Sequence, residues 1–243
     1  MVFHTHVYHA RKLNPNLDKL TVIGSILPDF ALTSAISWDD LHKKSGIVKF
    51  SSFVQETNPE QRSLLTGIQY HNSLDFLSHI AYQGTHGYAY NSITEELVSL
   101  VSKAFALDEQ RARVTSHNFI ESAVEYYVLQ EQRELSFIVE RTIAAMDMPP
   151  LTAMLATYYK KPEKEIATHF INFFSLITKY DLAKSDSWVP FWNDLSQFLF
   201  QRESNKNFIK KAFQLSLSLT KDTYKDFLTT AVSITDTEIV DSN

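Results

Sequence analysis

The sequence predicts an all-α protein. Apolar residues recur at helical spacing along most of the 243 residues, and no segment shows the alternation of apolar and polar residues typical of a half-buried strand. Glycine is scarce, with five in the chain, the last of them at Gly87. Because glycine is the usual residue for positive-φ turns and bulges, its absence from the rest of the chain favours helices there.

Prolines and glycines indicate where the predicted helices end. The breaks that they predict are Asn14-Pro15, Pro28, Asn58-Pro59, the stretch from Gly84 to Gly87, Pro149-Pro150, Pro162 and Pro190. The helices predicted between them cover about residues 3–13, 17–26, 60–82, 92–106, 109–146, 163–181 and 205–233. The polar residues from Thr235 to the C-terminus are expected to fray.

The length suits one helical domain spanning residues 1–243. Eight of the nine histidines lie at or before His117, which predicts a site in about residues 1–125 and a helical scaffold in about residues 126–236. Aromatic residues of the scaffold are predicted to form core, with a dimer surface or a lipid-accepting groove as the less favoured alternative. They are Phe170, Phe173, Phe174, Phe191, Trp192, Phe198 and Phe200.

Composition excludes several classes of protein. The net charge of -5, with both signs interspersed, argues against a protein that coats nucleic acid or binds a membrane surface. No apolar run is long enough for a signal peptide or a membrane span, so a cytoplasmic location is the expectation. The chain has no cysteine, so any metal ion must be held by nitrogen and oxygen ligands.

Two histidine–carboxylate motifs are the strongest candidates for metal ligands. His71, Asp75 and His79 stand four residues apart on one predicted helix, and His117 and Glu121 repeat this spacing on another. Residues four apart share a helix face, so these side chains are expected to line up. Two such helices side by side can surround metal ions, as in the metal sites of helix bundles.

The first half of the chain offers further candidate ligands. They are His4, His6, Asp29 in the segment GSILPD, His42, and His86 in a glycine-flanked loop. His9 is expected to cap or pack, and His169 to be a core or surface residue without a metal role. Imidazoles and carboxylates without thiolates suit a catalytic zinc, manganese or iron ion better than a closed structural zinc site.

In their order along the chain, these residues resemble the zinc-dependent phospholipase C family, which shares its fold with plant and fungal single-strand-specific nucleases. The resemblance covers about residues 1–125. It rests on an N-terminal histidine region, GSILPD, a histidine thirteen residues after its aspartate, a His-x-x-x-Asp helix, a further histidine and a His-x-x-x-Glu helix. It implies a multi-helix fold of the phospholipase C and nuclease kind that holds three zinc ions at the base of a cleft and hydrolyses phosphodiesters.

The resemblance also implies ligands for two metal positions. Those of the first are Asp29, His42, His71 and Asp75, with Asp75 bridging to the second. Those of the second are His117 and Glu121, completed by either His79 or His86. Helical geometry favours His79, whereas His86 is closer to the family's usual separation from the bridging aspartate.

A third position is conditional in this chain. Secreted members of the family use the amino terminus of an N-terminal tryptophan together with a nearby histidine. This chain begins with Met1, and its first tryptophan is Trp38. Either His4 or His6 could still supply the side-chain ligand, so the expectation is two zinc ions and a conditional third, with manganese or iron as alternative metals.

The predicted activity is hydrolysis of a phosphomonoester or phosphodiester by metal-activated water, with Asp29 as proton acceptor. The substrate class includes lipid phosphoesters, and a homo-oligomer is left open. A looser resemblance, carried by TGIQYHNSLDFLSH, is to acyl carrier protein phosphodiesterases and HD-type phosphohydrolases, which lack an evident counterpart of the His117–Glu121 pair. The third hypothesis is a non-catalytic helical metal-binding or interaction protein.

Overall fold

The computed structural model describes residues 3–84, 86–201 and 203–241, without the side chains of residues 198 and 237–241. This part of the chain is helical and contains no β-strand. The α-helices are α1 Phe3–Leu13, α2 Lys19–Gly24, α3 Trp38–His42, α4 Lys44–Thr57, α5 Ser63–His79, α6 Tyr88–Asn91, α7 Glu95–Phe105, α8 Glu109–Glu131, α9 Glu134–Ala144, α10 Met148–Tyr159, α11 Glu163–Lys179, α12 Trp188–Phe200, α13 Lys206–Thr220 and α14 Tyr224–Asp241. Short 3-10 helices cover Leu27–Thr33, Pro59–Gln61 and Ser185–Ser187. The predicted all-α class is confirmed.

Several helices of the structure were not predicted, and prolines explain two of the omissions. Pro149-Pro150 and Pro190, interpreted as breaks, lie in the first turns of α10 and α12. The first N–H groups of a helix have no partner within it, so proline is tolerated there. Helix α4 was not predicted either. The polar end also differs from expectation, because α14 continues to Asp241, while Ser242 and Asn243 lie outside the described residues.

Two long predicted helices are each divided in the structure. Residues 109–146 form α8 and α9, separated at Gln132 and Arg133, and residues 205–233 fall in α13 and α14, separated at residues 221–223. Apolar periodicity continues across both breaks, so the sequence pattern did not reveal them. The shorter helices allow the chain to reverse and pack against the site-bearing elements.

Backbone contact between α2 and α5 depends on two glycines. A Cβ atom on Gly24 would lie 2.1 Å from the carbonyl oxygen of Leu64, and one on Gly67 would lie 2.2 Å from that of Thr21. Real Cβ atoms do not approach so closely, so only glycine permits this packing. The close contact brings the end of α2 and the following 3-10 helix against the face of α5 that carries His71.

Aromatic residues of the second half form the core that supports the site. Phe170, Phe173, Phe174, Phe191 and Trp192 are buried as predicted, Phe200 is partly buried, and the side chain of Phe198 lies outside the described residues. Three of them pack on neighbours of site residues: Phe170 stacks on Phe30 with ring centroids 4.0 Å apart, Phe173 meets Phe3 at 5.4 Å, and Trp192 stacks on Phe119 at 4.3 Å. Within the described residues, no helix has the length and apolar character needed to cross a bilayer.

Candidate metal centre

In the described part of the chain, three groups of histidine and carboxylate side chains converge where α1, α3, α5, α8 and the first 3-10 helix meet. Within each group, one ligand atom per residue lies within 4.8 Å of the others. The groups are His6, Asp29 and His71; His42, His71 and Asp75; and His79, His117 and Glu121. His71 belongs to two of them, so the first two groups form one continuous cluster.

Helix α5 provides the central row of this cluster. Nε2 of His71 lies 3.3 Å and Nδ1 of His79 lies 3.7 Å from Oδ2 of Asp75. The other oxygen of Asp75, Oδ1, lies 3.5 Å from Nε2 of His6 on α1. The alignment predicted from the four-residue spacing is therefore confirmed, and Asp75 stands between the histidines, where it could bridge two ions.

Backbone carbonyls orient three of the imidazoles. Nδ1 of His71 donates to the Ser25 carbonyl oxygen at 3.0 Å, and Nδ1 of His42 donates to that of Trp38, also at 3.0 Å. Nδ1 of His117 bonds the carbonyl of Val114 in the same way. Since a carbonyl oxygen can only accept, Nδ1 carries the proton in the neutral form of each ring, and Nε2 then has its lone pair directed to the site. This is the outer-shell arrangement usual for metal-ligating histidines.

Buried polar atoms of the cluster without a hydrogen-bond partner among the described residues include Oδ2 of Asp29 and Nε2 of His42. Buried polar atoms are almost always hydrogen-bonded, so each such exception needs an explanation. Both atoms belong to residues of the metal-ligand groups. Unpartnered imidazole and carboxylate atoms fit a divalent metal ion of the zinc, manganese or iron kind.

Burial and neighbouring charges shift the pKa values of the cluster. It lowers the pKa of His42 and of His117 to about 4, so both rings are neutral at neutral pH. It raises the pKa of Asp29 to about 7. Burial also opposes ionisation of Asp75, but surrounding positive charge, including that of His71, holds the pKa of this carboxyl well below its usual range. Although burial opposes it, the neighbouring carboxylates raise the pKa of His71 and of His79, so these two rings would release protons when a metal ion binds.

The third group joins α5 to α8. Oε1 of Glu121 lies 2.6 Å from Nε2 of His79 and accepts a hydrogen bond from Oγ of Ser78 at 2.7 Å. Oε2 of Glu121 lies 4.0 Å from Nε2 of His117. The fold therefore brings His79 to this group, while His86 is an exposed residue beyond the end of α5 and belongs to none of the three groups.

The N-terminal histidines have separate positions. His6 joins the cluster, with its ring stacked on that of His71 at a centroid distance of 3.6 Å. His4 belongs to none of the three groups and instead pairs with Glu125, with 2.7 Å between Nδ1 and Oε1. Sequence reasoning missed Glu125, although it stands four residues after Glu121 on α8 and so shares its helix face.

A cleft of about 440 Å³ opens onto the cluster. Its wall includes His42, Asp75 and His79, together with Lys43 and Lys44. The remaining lining is mostly apolar and consists of Trp38, Ile47, Val48, Phe76, Ile80 and the amide residue Asn72. The cleft thus combines candidate metal ligands, two cations and an apolar wall.

Comparison of the chain with protein-family models, with curated proteins and with solved structures gave no match. The arrangement of the side chains is therefore the basis for proposing a function.

Proposed function

We propose that this protein is a metal-dependent phosphoester hydrolase with a fold of the phospholipase C and nuclease kind. The observation that carries the proposal is the convergence of histidines and carboxylates from five separate elements on one cluster, of which His42, Asp75 and His79 line a cleft. These residues come from distant parts of the sequence, and within each group of three their ligand atoms lie within 4.8 Å of one another. Because His117 and Glu121 belong to the convergence, it favours this class over the HD-type hydrolases, which lack an evident counterpart of the pair.

Each group of ligands is a candidate position for one zinc ion, with manganese or iron as alternatives. The residues that would hold a first ion are His42, His71 and Asp75, with Asp29 beside them. A second ion would bind His79, His117 and Glu121. The group of His6, Asp29 and His71 is the candidate for the conditional third ion, and it makes His6 the preferred N-terminal ligand.

Divalent ions in such a site lower the pKa of water toward neutrality and stabilise the oxygens of a phosphoryl group. Asp29 is the residue proposed to accept the proton of the attacking water. Its buried oxygen Oδ2 has no hydrogen-bond partner among the described residues, so this atom is available for that role. The carbonyl-bonded rings of His42 and His71 are held in fixed orientations, so the ligand set is arranged before substrate binds.

The cleft favours a phosphoester that carries an apolar group. Lys44 and Lys43 offer positive charge for a phosphate, although Lys43 also pairs with Asp39 at 2.7 Å. Phe76 and Ile80, which also line the cleft, are 49% and 63% exposed and offer an apolar surface. A lipid phosphoester combines these two features, so it is the substrate class to assay first.

Metal analysis and enzyme assays test the proposal. We expect purified protein to hold two or three zinc, manganese or iron ions and to hydrolyse a chromogenic phosphodiester. His71→Ala and Glu121→Gln should each lose metal and at least about a hundredfold in rate, since second-shell changes alone typically cost 10–100-fold. His169→Ala, outside all three groups, is the control and should match wild type.

Two results would contradict the proposal. One is a folded protein that retains no divalent metal ion under any loading condition, which would support the non-catalytic interaction protein. The other is equal hydrolysis by wild type, His71→Ala and Glu121→Gln, which would locate any activity elsewhere.

A further inference from the structure

Glu125 is a buried carboxylate that the proposed chemistry does not use. It lies on α8, one turn after Glu121, with no exposed surface. Oε1 accepts from the backbone N–H of His4 at 3.0 Å and from its ring Nδ1 at 2.7 Å. Oε2 accepts from the backbone N–H and from the hydroxyl of Thr5, both at 2.7 Å. Four donors therefore surround one carboxylate.

These bonds tie the start of α1 to α8. The first N–H groups of a helix have no partner within it, and the helix dipole favours a negative charge at that end. Glu125 supplies both the acceptor and the charge from a different helix. Although burial opposes ionisation, the His4 ring and the other donors lower the pKa of Glu125, so the carboxylate stays charged.

His9, about one helical turn after His6, makes a second contact that holds α1 in place. Nε2 of His9 lies 3.1 Å from Oγ of Ser73 on α5 and 3.3 Å from Oγ1 of Thr235 on α14. His6 stands between these two attachments, and its Nε2 is 3.5 Å from Oδ1 of Asp75. Contacts on both sides of His6 therefore fix the position and rotation of α1. His6 is the residue that α1 contributes to the ligand groups.

We propose that Glu125 and Thr5 are positioning residues that hold His6 at the metal centre and thereby control loading of the metal position around His71. Neither residue belongs to a ligand group, so they act through α1. The inference rests on the proposed metal centre, but it makes a separate claim. Loosening the start of α1 should weaken the His71 position and leave the position formed by His79, His117 and Glu121 unchanged.

Two backgrounds, each lacking one part of the metal centre, separate these effects. His117→Ala leaves the groups around His71, whereas His71→Ala leaves the group of His79, His117 and Glu121. Zinc affinity is measured in each by competition with a chelator. In the His117→Ala background, Thr5→Val and Glu125→Gln should each weaken zinc binding by about tenfold or more, as expected for a lost outer-shell contact. In the His71→Ala background, neither should change it.

Matched variants distinguish positioning from a general structural role. Thr5→Ser keeps the hydroxyl and should restore the affinity. Thr220→Val makes the same substitution at an equally buried threonine whose hydroxyl bonds its own helix at Ser216, and it should have no effect in either background. When His6 is already alanine, Thr5→Val should add no further loss, because the effect is transmitted through that ring.

Three outcomes would overturn the inference. They are unchanged zinc affinity in the His117→Ala background, an equal loss in both backgrounds, and a full additional loss on top of His6→Ala. If neither parent background binds zinc, the proposed metal centre fails and the inference fails with it. If Glu125→Gln does not fold, the comparison of Thr5→Val with Thr5→Ser still decides the matter.

Discussion

The two halves of the chain bury different kinds of polar residue. Up to Glu125, the buried set contains histidines, aspartates and glutamates, whereas the described residues after Glu125 bury only serines and threonines among their polar side chains. Hydroxyls of the second group, such as those of Ser216 and Thr220, bond carbonyls of their own helix. Buried ionisable groups are costly unless they are paired.

The difference indicates a division of roles. A buried cluster of histidines and carboxylates contributes little net stability, so the first half depends on other contacts for its folding free energy. The second half provides large aromatic side chains that pack behind Phe3, Phe30 and Phe119. Variants in each half should therefore change different properties.

Loss of a scaffold aromatic should give the largest change in stability. Trp192 is 1% exposed and stacks on Phe119 of α8. Trp192→Ala should lower the free energy of unfolding by about 3–5 kcal/mol, measured by denaturant unfolding, because it removes buried area and leaves a cavity. Ile171→Ala, at a residue that is 65% exposed, is the control and should stay within about 0.5 kcal/mol of wild type. A loss below about 1 kcal/mol for Trp192→Ala would mean that the aromatic packing against Phe119 contributes little to stability.

The pH dependence of stability should show the cost of a buried histidine. Burial lowers the pKa of His9 to about 4 from an ordinary value of 6.5, so the folded state binds fewer protons than the unfolded state between these values. The stability that His9 contributes is therefore complete above pH 6.5 and is lost as the pH falls through about 4. Between about pH 7.5 and about pH 4.5, wild type should lose about 2–3 kcal/mol more than His9→Gln.

This comparison is made with chelator present, so that metal binding does not contribute. The remaining histidines are common to both proteins, and their titration cancels in the difference. Parallel stability profiles for wild type and His9→Gln would show that the ring of His9 is not held neutral in the folded state.

A matched pair of serines gives the smallest and sharpest contrast. Ser78 and Ser216 are both fully buried, but the hydroxyl of Ser78 donates to the carboxylate of Glu121 at 2.7 Å and that of Ser216 to a carbonyl at 2.9 Å. Hydrogen bonds to charged groups are the stronger kind. Ser78→Ala should therefore cost about 1.5–3 kcal/mol in unfolding free energy, against about 1 kcal/mol for Ser216→Ala. Equal losses would remove this distinction between the two halves.

The sequence by itself determined the features that depend on local periodicity. Helical class, the row of His71, Asp75 and His79, and the pair of His117 and Glu121 all follow from residues that stand one helical turn apart. Such spacing places side chains on one face wherever the helix lies in the fold. The abundance of aromatic residues in the second half indicated the core for the same reason, since large apolar side chains are buried in any helical packing.

Tertiary structure decided which of two candidate residues, both distant in sequence from the rest of the site, joins a ligand group. It brought His79 to Glu121 and left His86 exposed, and it placed His6 at the cluster while His4 pairs with Glu125. These choices depend on the direction in which α1 and α5 cross α8, which no local pattern contains. Helix packing angles and the close approach of α2 to α5 set those directions, and they arise from contacts between residues far apart in the chain.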